Sequence, residues 1–218
     1  MPDYGVIFDL DGVLVDSYRA HFASWRALYG ALGIDYSEEA FAADFGRTSR
    51  DILRRTLGDP LSEERIRELD ERKEALFRGI LCEDFPAMDG AVELIDALSA
   101  DGFLLAVGSS GPPENIGLAL EKLGRADIFA AVVTGQDVTR GKPDPQVFQI
   151  AAERLGLPAE SCAVVEDAVH GIDAARRAGM ANIALTGTAT RDQLAEADLI
   201  IDSLRELTTE VVRRLIEN

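Results

Sequence analysis

Cysteine is scarce in this chain: Cys82 and Cys162 are the only two in 218 residues. Neither sits in a CxxC or other metal spacing, so both read as small core or surface residues. A disulfide framework is excluded, and a reducing cytosol is the expected setting. Positive charge is also short. Against 39 Asp and Glu stand 22 Lys and Arg, a net charge of −17. Nucleic acid and an anionic membrane surface are therefore disfavoured as partners, and any anion site must be locally positive. Long apolar runs are missing, as are a charged leader and a cleavage-site pattern, so neither a membrane span nor a signal peptide is expected. There is no internal repeat and no low-complexity tract. What remains is 47% apolar and 28% charged. That fits one large domain, or one domain with an insert, and a sizeable core. A monomer is expected.

The stretch that organises the rest is Val6-Ile7-Phe8-Asp9-Leu10-Asp11-Gly12-Val13. Val6 to Phe8 read as a short buried strand. Asp9 and Asp11, at i and i+2, fall on one side of the chain if the strand geometry persists. Gly12 then lets the backbone turn away. A lone Asp after a strand is commonly a turn or cap residue. Two in succession at the end of a buried strand are costly unless a cation or several donors meet them.

Residues 16–82 read as helical throughout. Asp16-Ser17 mark an N-cap, and Phe22, Trp25, Leu28, Tyr29 and Leu32 follow at helical spacing up to Gly33. Ser37 caps a second helix. The loop from Gly46 to Asp51 leads into a helix over Ile52–Leu57, and Ser62 caps another that runs to about Ile80. After Pro86 the character changes. Helices at 90–100, 112–124, 145–156 and 170–178 alternate with strands at 103–107, 131–134, 163–165, 182–185 and 199–201, and a C-terminal helix follows. Leu199-Ile200-Ile201 does not alternate with polar residues, which fits a parallel strand buried on both faces. Alternating strands and helices imply an α/β fold, a doubly wound parallel sheet of Rossmann-like type. The helical block then becomes an inserted cap domain over 16–82, with the core over 1–15 and 83–218.

In such sheets ligands bind at the carboxyl ends of the strands. Four polar groups follow four strands: Asp9 and Asp11; Ser109 and Ser110; Lys142 within Gly141-Lys142-Pro143-Asp144; and Glu166 with Asp167. Each has a plain alternative. Ser109 and Ser110 suit a turn, Lys142 a solvated loop, Glu166 and Asp167 a helix cap. Together, four carboxylates at one edge with a single Lys call for a cation. Oxygen ligands without His or Cys favour Mg²⁺ over zinc.

These four segments resemble the four motifs of the haloacid dehalogenase (HAD) superfamily, in the right order and over essentially the whole chain. The likeness is strongest to β-phosphoglucomutases and the phosphatases related to them. It implies a HAD-like core with a helical cap and an enzyme acting on a small phosphorylated substrate. Asp9 would be the nucleophile that forms an aspartyl-phosphate, and Asp11 the acid and then the base. Mg²⁺ would be held by Asp9, the Asp11 carbonyl, Glu166 and Asp167. Ser109, Ser110 and Lys142 would hold the phosphoryl oxygens. In the cap, the resemblance implies substrate contacts from His21, Trp25, Gly46, Arg50 and Lys73. A core or surface position suits His21 as well, and Trp25 lies on the apolar stripe. Arg50 competes with a solvated face, whereas Lys73 is the only lysine of the cap.

Water or a sugar hydroxyl could receive the phosphoryl group. His21, Arg50 and Lys73 lean towards a mutase. Gly111 and Pro113 lean away, because β-phosphoglucomutases carry Ser and Asn at the matching positions to help hold a second phosphate. The reading is a Mg²⁺-dependent phosphohydrolase of a small metabolite, a sugar phosphate, with β-phosphoglucomutase as the alternative. Asp11 argues against a dehalogenase. A phosphonate hydrolase would need Lys73 for a Schiff base. A non-catalytic binding module would have no need to keep nucleophile, acid, lysine and metal carboxylates together.

Overall fold

A computed structural model describes residues 4–44, 47–58 and 60–218. Six parallel strands form one sheet: β1 (Gly5–Phe8), β2 (Leu104–Gly108), β3 (Phe129–Val133), β4 (Cys162–Glu166), β5 (Ala181–Leu185) and β6 (Leu199–Ile201). Their order is β3-β2-β1-β4-β5-β6. The short apolar strand near the N-terminus is therefore central, paired on both sides. Ile7 lies opposite Ala106 of β2 and Val164 of β4. Val6, Ile7 and Phe8 are fully buried, as expected where helices cover both faces of a parallel sheet. Helices α5 (Ala91–Ala100), α6 (Pro113–Leu123), α7 (Gln146–Leu155) and α8 (Val169–Ala178) connect successive strands, and α9 (Thr209–Ile216) ends the chain. Gly124, Gly156 and Gly179 close α6, α7 and α8 in the left-handed region, where a residue without Cβ costs least.

The chain divides into two compact units, Met1–Asp16 with Pro86–Asn218, and Ser17–Phe85. Where the first unit is interrupted, its two ends lie side by side. The Asp16 amide donates to the Pro86 carbonyl (2.8 Å) and the Met88 amide to the Leu14 carbonyl (3.0 Å). Val15 and Ala87 form an antiparallel bridge.

The second unit is helical: α1 (Tyr18–Gly30), α2 (Glu38–Asp44), α3 (Ser49–Leu57) and α4 (Glu63–Glu83). Trp25, Leu28 and Tyr29 of α1 pack with Phe41, Leu53, Ile66 and Leu69, so the apolar stripe on α1 becomes this unit's core.

Three local expectations are corrected. Helix α3 starts at Ser49 rather than Ile52, because the Thr48 hydroxyl accepts the Asp51 amide and caps the helix earlier. Ser17 occupies the position before α1, yet its side chain makes no capping bond. Strand β6 is not covered on both faces. It is the sheet edge, and Leu199 and Ile200 are only half-buried.

Ile7→Ala is expected to destabilise the protein by about 2–5 kcal/mol in denaturant unfolding, because a fully buried side chain is cut back on the central strand.

Candidate active site

Strand order brings the carboxylates together. The amide of Asp9 still belongs to the sheet and donates to the Val165 carbonyl (3.0 Å). This ties the residue that follows β1 to the strand that carries Glu166. Gly12, at φ +77°, then folds the chain back, and its amide donates to the Val15 carbonyl (2.8 Å). Asp9, Glu166 and Asp167 are all buried, and one oxygen from each lies within 4.8 Å of the others.

Lys142 reaches this cluster from the loop between β3 and α7. Its ammonium donates to Asp9 Oδ1 (2.6 Å) and to Glu166 Oε1 (2.7 Å). The Phe148 ring lies 4.8 Å from the same nitrogen and adds a cation–π contact. The other Glu166 oxygen, Oε2, accepts the amides of Asp167 and Ala168, both at 2.7 Å. The start of α8 thus fixes the glutamate. A Cβ on Gly171 would sit 1.9 Å from the Glu166 carboxyl carbon, and one on Gly12 would sit 1.8 Å from Asp167 Oδ2. Both glycines are there because carboxylates lie over them.

Electrostatics follow from the crowding. The Asp9 carboxyl is raised to about 7: burial is the largest cause, Lys142 works against it, and the charges of Glu166 and Asp11 add to it. Asp167 is raised well above the ordinary range, first by burial and then by Glu166 and Asp9. For Lys142, burial pulls the ammonium down, but Asp9 and Glu166 together outweigh it and raise it. Three carboxylates face one ammonium, so the cluster is short of positive charge.

Ser109 and Asp11 border the cluster. Ser109 follows β2, its amide donates to the Val133 carbonyl (3.0 Å), and its Oγ accepts the Gly111 amide (3.1 Å). A Cβ on Gly111 would lie 3.3 Å from Ser109 Oγ and 3.9 Å from Asp11 Oδ2, so these loops meet beside the carboxylates. Ser110 is exposed. Its carbonyl packs on the loop after β3, 2.4 Å from where a Gly135 Cβ would be. The segment Gly111-Pro112-Pro113 leads into α6 with no polar side chain.

In the helical unit, His21, Trp25 and Lys73 gather. Lys73 is buried, 2.9 Å from His21 Nδ1 and 2.8 Å from Glu74 Oε1. It lies over the Trp25 and Phe77 rings at 5.5 and 5.0 Å, and His21 stacks on Phe77. Arg50 is elsewhere, an exposed residue paired with Glu63. Gly46 lies outside the described residues. Three contributors were missed in the sequence: Glu74 beside Lys73, Gly171 under Glu166, and Thr188, whose Oγ1 lies with the Asp167 carboxylate over Gly12. Thr188 follows β5, so the rule that searched the other strand ends would have found it.

The cluster fits a divalent cation. Its donors are all carboxylate oxygens, close enough to share one ion, and buried charges of one sign need a counter-charge. Among the described residues no helix is long and apolar enough to cross a membrane.

The chain is also similar to proteins of known kind. The chain is 32% identical to validoxylamine A 7'-phosphate phosphatase of Streptomyces hygroscopicus subsp. limoneus, over 92% of this chain and 94% of that protein. It is 33% identical to hexitol phosphatase A of Escherichia coli, over 94% and 93%. The crystal structure of β-phosphoglucomutase from Clostridium difficile superposes with a TM-score of 0.86 at 26% identity, over 99% of this chain and 97% of that one. The family model for haloacid dehalogenase-like hydrolases matches residues 5–179, which include Asp9, Asp11, Ser109, Lys142, Glu166 and Asp167, and the chain belongs to that family.

Proposed function

We propose that this protein is a magnesium-dependent phosphohydrolase that removes phosphate from a small phosphorylated metabolite, a sugar phosphate, in the cytoplasm. The observation that carries this reading is the Lys142 ammonium seated between Asp9 and Glu166. The similarity to two phosphatases supports it. The unit containing β1 is taken as the catalytic core and the helical unit as its cap.

Asp9 attacks phosphorus, and the bond to the leaving oxygen breaks while Asp11 gives that oxygen a proton. The phosphoryl group is then held on the Asp9 carboxyl as an acyl phosphate. A water next attacks the same phosphorus, Asp11 takes its proton, and Asp9 is released with inorganic phosphate. Lys142 and Ser109 hold the phosphoryl oxygens, with Ser110 contributing from the exposed side of the same loop. Lys142 also neutralises Asp9, so that two anions can approach. Asp9, the Asp11 carbonyl, Glu166 and Asp167 would hold Mg²⁺. When bound, the ion supplies charge that offsets the phosphate's own. Such a reaction needs mainly placement and neutralisation, which suits this small set of groups.

His21, Trp25, Gly46, Arg50 and Lys73 are assigned to substrate choice. Among these, the half-buried His21 and the buried Lys73 stand together, 2.9 Å apart. The likeness to the Clostridium mutase supports a second reading, phosphoryl transfer between two positions of a sugar phosphate. The Gly111-Pro112-Pro113 stretch argues for water as acceptor, because it offers no side-chain donor for a second phosphate.

Release of phosphate from p-nitrophenyl phosphate is expected to need Mg²⁺ and to stop with chelator. A screen of sugar phosphates is expected to give free phosphate. Glucose 6-phosphate formed from β-glucose 1-phosphate without phosphate release would mean the mutase. Asp9→Asn is expected to keep the fold and lose about 10³-fold or more in kcat, read by steady-state assay beside circular dichroism. Gly171→Ala is expected to weaken Mg²⁺ binding about 10- to 100-fold, measured by calorimetry, because the new methyl displaces Glu166.

A further inference from the structure

Lysine is a flexible side chain, yet the Lys142 ammonium falls between two carboxylates that belong to other loops. Contacts at its tip do not fix the backbone that carries it. The groups that do so lie at the start of α7. Val147 and Phe148 are buried in the core with Ile7 and Val164, so this helix end is anchored to the sheet. Gln146, the residue before them, is half-buried and turns its side chain back along the loop. Its Oε1 accepts the Thr139 amide (2.9 Å), the Arg140 amide (3.0 Å) and the Thr139 hydroxyl (3.3 Å). Backbone amides only donate, so the oxygen of the Gln146 amide has to face them.

The loop is closed from the other side as well. The Gln146 amide donates to Asp144 Oδ1 (3.1 Å), and Asp144 Oδ2 lies 3.0 Å from Arg140 Nε. The Asp144 amide donates to the Gly141 carbonyl (3.0 Å). Lys142 therefore sits at the turn of a loop whose incoming arm is held by the Gln146 side chain. The same helix places the Phe148 ring 4.8 Å from the Lys142 nitrogen. One anchored helix end thus holds both the approach to Lys142 and the surface its ammonium lies over. A displacement of the order of 1 Å in a group that must meet a reacting centre can cost about 100-fold in rate.

We propose that Gln146 is a positioning residue for phosphoryl transfer: through the Thr139 and Arg140 amides it holds the loop that presents Lys142 to Asp9 and Glu166. The proposal rests on the phosphohydrolase reading given above. A purely structural Gln146 would shift the melting temperature and leave Lys142 where it is. Gln146→Met keeps the length of the side chain and removes the acceptor. Gln146→Glu keeps an acceptor oxygen at the same reach.

The chain has only three lysines, Lys73, Lys122 and Lys142, so the ammonium groups of the ¹⁵N-lysine-labelled, full-length protein can be followed by nuclear magnetic resonance, with Lys142 assigned through Lys142→Arg. In Gln146→Met the Lys142 signal is expected to shift or broaden while that of Lys73 stays, and kcat/KM for p-nitrophenyl phosphate with Mg²⁺ to fall about 10- to 100-fold. Gln146→Glu is expected to keep the wild-type Lys142 signal and to stay within about threefold of wild-type kcat/KM. Gln146→Leu provides a second deletion of the acceptor and is expected to match Gln146→Met, with circular dichroism showing each variant folded at the assay temperature. An unchanged Lys142 signal and wild-type kcat/KM in the folded deletion variants, or a loss in Gln146→Glu equal to theirs, would overturn the proposal. No phosphate release by the wild-type protein would instead remove the phosphohydrolase reading, and this proposal with it.

Discussion

A single buried ammonium sets the terms for this site. Lys142 lies within 2.7 Å of both Asp9 and Glu166, and Asp167 completes the group. Each carboxylate loses hydration on burial, and each repels the others at short range. One lysine against three carboxylates leaves two negative charges. Burial first, and then the charges of the neighbouring carboxylates, raise Asp9 and Asp167 above the ordinary carboxyl range. A divalent cation removes it by charge alone. The overall deficit of positive charge makes the point sharper, because the chain as a whole offers an anionic substrate no long-range attraction.

The fold is what lets such groups meet. Asp9, Ser109, Lys142, Glu166 and Thr188 come from five separate connections, all at the carboxyl ends of parallel strands. The central position of β1 places Asp9 between the contributions of β2 and β4. Small residues then allow the close approach. Gly12 lies under Asp167, Gly171 under Glu166, and Gly135 against the Ser110 carbonyl. Packing, charge and backbone freedom converge on the same few positions, and a change at any of the three glycines would be felt by a polar group rather than by the core.

Much of this was legible in the residues themselves. Strand β1 and its two aspartates could be read because apolar and acidic residues change abruptly at Asp9. The alternation of strands and helices after Pro86 identified the sheet type, and the strand-end rule picked out Lys142 and Glu166. The rest needed three-dimensional information. Leu199-Ile200-Ile201 looks like an interior strand, because composition does not report position in the sheet; the β6 edge came only from the pairing. Thr48 is an ordinary polar residue until its hydroxyl meets the Asp51 amide. The His21–Lys73 contact joins residues 52 apart on two helices, which helical periodicity does not encode. Gly171 and Thr188 are common residue types, meaningful only because a carboxylate lies beside each.

The central claim is that this crowded, lysine-bridged cluster makes Asp9 the group that attacks phosphorus. Borohydride reduction of the acid-quenched enzyme during turnover of a sugar phosphate tests it most directly, because an acyl phosphate is reduced whereas a free carboxylate is not. Mass spectrometry of the peptide containing residues 5–13 is expected to find homoserine at position 9, and only in samples given both Mg²⁺ and substrate. Full turnover with Asp9 unmodified, or the modification at another acidic residue, would contradict the account.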